Sequence, residues 1–472
     1  MISGKVEWGR KWILAIGLLL LYVGIVLGDD MEGMDMEGDG LDEDSRPEFH
    51  PKNPKSKSFH WIFSLAILLA LSSVASAFAF ANRLATSVIL EAVITAYSVV
   101  ETLFLDFPDN EDNHENRTSK GTSFFLSFLL GCTVFMGTLI NGTNYVMNRF
   151  YPQVATRVGQ TSIAYKIYKV LTFLAVLVGY VRVCMAPVAL LGFCYDDHLE
   201  QCLAHGIMGS SFILYGFIYT VVLIIPWIRK HHLVPGNQDI KSQEFYDSLV
   251  MCLWGIINTF TEHKWNREPW HHHDYQHTSM GILWWCGGLL GMWLSRKNNR
   301  RTFLPSLMLI YTGYGMAQHP QELPISTKVH ALFGFVLMLA GLSRIVEILF
   351  LLSDQRSSRS GKILSFQHFP PFGLVASGIL FMSATEEQMQ LVHELGADHS
   401  SYVLVLTGAS FVVYLWFLLV LQLYLHLLGY DEDGELTSHK YSYEQFNSAA
   451  HDFELGDLSD NENRDSSTPD LE

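Results

Sequence analysis

Charge is scarce in this chain. Aspartate, glutamate, lysine and arginine make up 17% of its 472 residues, against 49% hydrophobic residues. Whole blocks have no charge at all, as in "YVLVLTGASFVVYLWFLLVLQLYLHLL" (402–428). A large soluble α-protein would need a polar face on each helix, and this block has none. Basic residues are the rarer sign, 31 against 47 acidic, for a net charge of -16, and no basic face suits nucleic acid. Cysteine is sparse too. Six are too few for a disulfide scaffold, and Cys132, Cys184, Cys252 and Cys286 fall in apolar surroundings where cysteine packs as a small hydrophobe.

What is present is a series of apolar blocks, many long enough to span a bilayer at about 20 residues each. The expected fold is all-α, a polytopic membrane bundle of about eleven helices. They are placed at 60–80, 84–105, 123–146, 167–193, 205–228, 246–262, 277–295, 302–319, 327–353, 365–385 and 400–428. Residues 1–28 read as a signal sequence: Lys5, Arg10 and Lys11 precede an apolar run, and the small residues Val26 and Gly28 suit cleavage before Asp29. Residues 29–59 form an acidic leader that holds Met31, Met34 and Met36, thioethers suited to Cu(I). An N-terminal membrane domain (60–228) and a C-terminal one (246–428) follow, then an acidic tail (429–472).

Three signals fix the orientation. Arg149 with Arg157, Arg229 with Lys230 and Lys241, the "RKNNRR" run and the "RSSRSGK" run fall in connections on one face, which is then cytoplasmic together with the tail. The glycosylation acceptor Asn116 ("NRT") lies on the opposite face. So do Cys194 and Cys202, where a disulfide can persist. The chain belongs in the secretory and endomembrane system or the plasma membrane.

With this topology, histidine gathers at the extracytoplasmic face: His60, His205, His263, His271, His272, His273, His277, His319, His330, His393 and His399. Three stretches share a spacing: "HGIMGSSFILYG" at His205, "HTSMGILWWCGG" at His277 and "HALFGFVLMLAG" at His330. Each has glycine four and eleven positions after the histidine, on one helix face. Such a groove admits a neighbouring helix, and equally a flat macrocycle beside an axial ligand. It is also compatible with duplication of a helix pair. His205, His273, His277, His319 and His330 are the haem or metal candidates, with Glu262, His263, Asp274 and Glu322 in support. Trp265, Trp270 and Tyr275 equally suit an interfacial loop. Within the membrane, Glu91 and Arg182 can form an ion pair, and Arg344 and Glu347 a local one.

The runs "NTFTEHKWNREPWHHHDYQHTSMGILWWCGGLLGMWLSR", "PSLMLIYTGYGMAQHPQ" and "KVHALFGFVLMLAGLSRIVEI" resemble the C-terminal domain of a fungal Ytp-type family of multi-pass membrane proteins. The N-terminal half is distantly similar to cytochrome b561 domains. That resemblance implies haem b, with His60 and His205 at ligand-like places. Its second helix, however, carries no histidine, and carriers across a bilayer need haem near both faces. The reading is therefore one haem, or a zinc, copper or iron ion, near the extracytoplasmic face. Two other readings stand beside it: a transporter or pH-responsive scaffold, and a metal-dependent membrane hydrolase. Whether the chain is an enzyme stays open at this level.

Overall fold

A computed structural model describes residues 54–104, 114–150, 163–191, 193–194, 199–229, 241–261, 263, 270, 272–297, 301–318, 321, 323–352 and 363–431. The signal sequence, the methionines of the leader, His271, Glu262, His319, Glu322 and the tail after residue 431 lie outside them, as do the side chains of Asn116 and His273.

The elements formed by the described residues are helices. Helix α1 runs through Pro54–Ser64, a π-helical turn at Leu65–Leu71, and Ser72–Phe80. It begins six residues before the expected start at 60. Pro54 takes its first position, where a missing N–H costs nothing. Then follow α2 (Leu84–Phe104), α3 (His114–Phe150), α4 (Ile163–Cys184), α5 (Leu199–Ile224), α6 (Gln243–Thr261), α7 (His272–Leu294), α8 (Leu304–Ala317), α9 (Pro324–Val346), α10 (Phe369–Met382), α11 (Glu386–Glu394) and α12 (His399–Leu427). Asn116 stands in the first turn of α3, where the sequence pattern places a connection.

A helix occupies each of the eleven expected segments, and α11 is an addition. Seven are long and apolar enough to cross a membrane: α1 to α5, α9 with its π-helical continuation to Leu352, and α12. Helices α8 and α10 have 14 residues each. At 1.5 Å per residue that is about 21 Å, short of a hydrocarbon core of about 30 Å. The chain is an all-α polytopic membrane protein, and among the described residues seven helices meet the criteria of length and composition.

The surface is inverted relative to a soluble protein. Phe124, Phe128, Phe135, Leu404, Val405 and Val412 are exposed, while Glu91, Glu101, Arg182, Glu244, Arg344 and Glu347 are buried. Lipid is as apolar as leucine, so burial of leucine cannot hold such helices together; close backbone packing and internal polar pairs must do so.

Glycine shows where that packing is tightest. A Cβ on Gly209 of α5 would sit 2.7 Å from the Gly378 carbonyl of α10, and one on Gly216 2.7 Å from the Pro371 carbonyl. On α7, Gly281 faces the Thr259 backbone of α6 at 2.7 Å, and on α9, Gly341 faces the Ser306 carbonyl of α8 at 2.6 Å. Each His-x3-Gly-x6-Gly helix is thus sealed along its groove by a partner helix. The macrocycle reading of these grooves is corrected: helix backbone fills them.

Helix ends are set locally. Pro305, Pro324 and Pro370 stand at the starts of α8, α9 and α10. Asp398 caps α12 by accepting from the Ser400 and Ser401 backbone N–H groups. The Ser401 hydroxyl, with these amides, holds the Asp398 carboxyl below the usual range.

Candidate functional site

Helices α5 and α9 each start with a polar turn, and their first histidines meet. The Nε2 atoms of His205 and His330 lie 3.4 Å apart, and both residues are buried. The rings stand edge-on to one another at 89°, and Phe381 of α10 stacks on His205 with centroids 4.5 Å apart. The remaining ring nitrogens are tied down alike. His205 Nδ1 bonds the Gln201 carbonyl and His330 Nδ1 the Ser326 carbonyl, each at 2.9 Å.

A carbonyl oxygen can only accept, so each Nδ1 carries the proton. In the neutral tautomer this leaves both Nε2 atoms as lone-pair acceptors pointed together. Two ring nitrogens this close can share a cation, either a proton or a metal ion. Two imidazoles on a tetrahedral ion at Zn–N distances of 2.0–2.1 Å have their nitrogens about 3.4 Å apart. The spacing thus matches a pair of ligands on one ion.

The pair lines a cavity of about 520 Å³. His277 of α7 lines it as well, so the three histidines of the repeated spacing share one chamber. Glu200 of α5, Glu386 of α11 and Gln321 add oxygen ligands to its wall. Trp284 and Thr312 line it too, and the Trp284 indole N–H donates to the Thr312 hydroxyl at 2.6 Å. Met208, Met280, Met316 and Phe381 line the rest of the chamber, so its wall is mixed polar and apolar.

The roof is braced covalently. Cys194 and Cys202 are joined as a disulfide, and the Cys194 backbone N–H donates to Glu387 of α11 at 2.8 Å. Cys194 has a φ of 65°, a left-handed conformation rare for a residue with a side chain. The loop therefore fixes α11, whose neighbouring residue Glu386 faces the cavity. Among the described residues, the one cluster of three metal-ligand side chains within a few ångströms is Cys194, Cys202 and Glu387, and its sulfurs are already spent on each other.

Other predicted residues are distributed differently. His263 Nδ1 contacts Asp274 Oδ2 at 3.1 Å and stacks on Trp270 with centroids 4.1 Å apart. Asp274 thus orients His263. Arg182 pairs with Glu101 at 3.1 Å, which corrects the expected partner Glu91. The same Glu101 oxygen accepts from Ser64 at 3.0 Å and contacts His60 Nε2 at 3.0 Å. Glu101 lies near the expected end of its helix, where a carboxylate passes for a headgroup contact. Its signal is the buried periodicity Ser87, Glu91, Ser98, Glu101.

The haem implied by the b561 resemblance does not fit these residues. His60 is engaged with Glu101 on α2, His205 with His330 on α9, and Phe381 occupies the face of His205. A macrocycle needs a flat slot between its two axial ligands.

A second polar cluster lies at the opposite ends of α5 and α9. Arg344 binds Glu347 at 2.6 Å and Glu244 at 3.0 Å, and Arg301 binds Glu244 at 2.8 Å. Gln367 donates to Glu347 at 2.9 Å, and Tyr219 bonds both Glu347 and Arg344. The two guanidinium groups face Glu244 and Glu347, with the Asp247 carboxyl beside them, and such internal pairing is how buried charge is tolerated.

A family profile described as "Protein YTP1-like, C-terminal" matches residues 178–425, a span that takes in α5 with the helices that follow it. Protein YTP1 of Saccharomyces cerevisiae is 48% identical over 462 residues, covering 97% of this chain and 96% of the relative. A Schizosaccharomyces pombe protein named as an uncharacterized membrane protein is 25% identical over 51% of this chain and 54% of its own length. A second S. cerevisiae protein so named is 26% identical over 33% of this chain and 28% of its own length. No solved structure matches.

Proposed function

From its place in the YTP1-like family, to which this chain belongs, we propose that this multi-pass membrane protein binds a transition-metal ion at the extracytoplasmic ends of its helices. His205 and His330 are the anchoring ligands. The observation that carries the reading is the pair of Nε2 atoms 3.4 Å apart with both Nδ1 atoms held by carbonyls.

The carbonyl bonds fix the ring orientations and raise the basicity of the opposite nitrogens, as outer partners of ligating histidines do. His277, Glu200 and Glu386 line the same chamber and are at hand to complete the coordination shell. Imidazole with carboxylate favours zinc or copper over the hard alkaline-earth ions. The cavity leaves room beside the ion for water or a small ligand, so the site suits capture, transfer or activation of a bound molecule. A redox role asks for copper or iron in it, and a hydrolytic role for zinc. The positive-inside charge pattern and the disulfide at Cys194–Cys202 support an extracytoplasmic placement.

The same 3.4 Å contact supports a second reading, in which the pair shares a proton and acts as a pH sensor. Elemental analysis of the purified full-length protein separates the two. Near-stoichiometric metal that is lost in both His205→Ala and His330→Ala supports the ion. A metal-free protein that takes up a proton at this pair supports the sensor.

A further inference from the structure

Helix α2 faces the protein interior with a polar stripe. Its buried residues are Leu84, Ser87, Glu91, Ile94, Ser98 and Glu101, spaced three and four apart on one face. Ile89, Val93, Val100, Leu103 and Phe104 point outward. The helix thus carries two carboxyl groups into the membrane, and they are treated differently.

Glu101 is fully matched by Arg182, His60 and Ser64, with Ser123 donating at 3.3 Å. From it a run of hydroxyls extends along the α2–α3 seam. Thr102 contacts Ser123 at 2.8 Å and Ser127 at 2.9 Å, and Ser127 contacts Ser98 at 2.8 Å. There the run stops. Ile94, fully buried among Leu126, Leu130 and Leu68, lies between Ser98 and Glu91.

Glu91 is itself fully buried, and neither carboxylate oxygen has a hydrogen-bond partner. It lies ten residues from Glu101, about 15 Å along the helix. Arg182, buried on α4, is taken by Glu101. The titratable side chain that faces Glu91 is Tyr168 of α4, whose hydroxyl bonds Ser87 at 2.9 Å. No charged side chain of α1, α3 or α4 balances it among the described residues.

An unpaired carboxylate in this setting would be very costly, so the neutral acid is the form the site accepts. Metal cations need several oxygen ligands, and Glu91 offers one carboxyl group with no second oxygen in hydrogen-bond range. The ligand that fits is a proton. We propose that Glu91 is an intramembrane proton-binding site, loaded from the His60–Glu101 end through the Ser98–Thr102–Ser127 hydroxyls, with Ile94 as the barrier. Loading adds one proton to the carboxylate and removes one from the aqueous side, with no other reactant. An uncompensated acid kept inside a membrane marks proton-linked work, such as transport or a conformational switch, beyond the metal chamber of α5, α7 and α9.

The test uses full-length protein in proteoliposomes and the apolar, carboxyl-directed reagent N,N′-dicyclohexylcarbodiimide. The carboxyl oxygen adds to the carbodiimide carbon and the acid proton passes to its nitrogen, so the reagent reports the protonated form. Peptide mass spectrometry is expected to find the adduct on Glu91, to lose it in E91Q, and to find none on ion-paired Glu101. Ile94→Ser is expected to speed hydrogen–deuterium exchange of the protonated Glu91 carboxyl several-fold, read as the downshift of its C=O infrared band, and Ile94→Val to leave that exchange rate unchanged. Folding of each variant is checked by size-exclusion elution. A folded protein without adduct at Glu91, or an I94S exchange rate equal to wild type, overturns the proposal.

Discussion

The Nε2 atoms of His205 and His330 meet at 3.4 Å although 125 residues separate them in sequence. Helices α5 and α9 each open on a histidine above a glycine groove, and each groove is filled by a partner helix. Tight sealing of the two helix pairs is what brings the two helix starts together.

That packing makes a sharp prediction. Gly209→Val should abolish the folded state or sharply lower its yield, because a Cβ there meets the Gly378 carbonyl at 2.7 Å and backbone cannot give way. Gly206→Ala, three residues earlier with nothing within 4 Å, should be neutral. Fluorescence-detected size exclusion of both variants reads the difference; equal monodispersity would contradict it.

Glu101 is predicted to be worth more than Glu91 in stability. Glu101→Ala strands Arg182 in a buried position, and loss of one partner from such a pair costs about 3–5 kcal/mol. Glu91→Gln removes no partner, since the carboxyl has none. A thermal-unfolding series in detergent should show a large downshift for E101A and little for E91Q. A reversed order would count against the assigned pairing.

Arg344 anchors the opposite end. Arg344→Ala leaves Glu347 without its cation and Glu244 with Arg301 alone, with a cost of similar size, about 3–5 kcal/mol. Arg344→Lys keeps the charge but loses the forked geometry that serves Glu244 and Glu347 together, so it should recover only part of the loss. Full rescue by lysine would show that charge alone matters there.

Much of this was legible in the sequence, for identifiable reasons. Apolar blocks announce membrane helices because lipid forbids exposed backbone polar groups, and helices stand in all the expected segments. The shared spacing at His205, His277 and His330 led to the chamber because identical helix faces, packed alike, point their histidines alike. The short α8 and α10 were not legible as such, since apolar flanks lengthen a block without lengthening the helix. Arg182 pairs with Glu101 and not Glu91 because the pairing follows the buried stripe Ser87, Glu91, Ser98, Glu101, whereas position in a sequence gives depth in the membrane only coarsely. Phe381 and the α11 roof had no signal in sequence, since they depend on which distant helices pack together.

The disulfide should matter to the roof. Cys194 and Cys202 enclose a short loop with a separation of 8, for which the chain-entropy account gives about 2–3 kcal/mol. Cys194→Ser/Cys202→Ser should lower the thermal midpoint, and in sealed, cytosol-side-out microsomes treated with a permeant reductant a membrane-impermeant maleimide should label these cysteines only after permeabilisation. Labelling before permeabilisation would reverse the orientation.

The central claim is the metal ion between His205 and His330. The direct measurement is inductively coupled plasma mass spectrometry of the full-length protein, purified without chelator or affinity metal, beside His205→Ala, His330→Ala and Gly206→Ala. The account predicts near-stoichiometric zinc or copper in the wild type and in G206A, and its loss in both histidine variants while each still elutes as a folded species. Metal retained in both histidine variants, or none in a folded wild type reconstituted with zinc and copper, would contradict it.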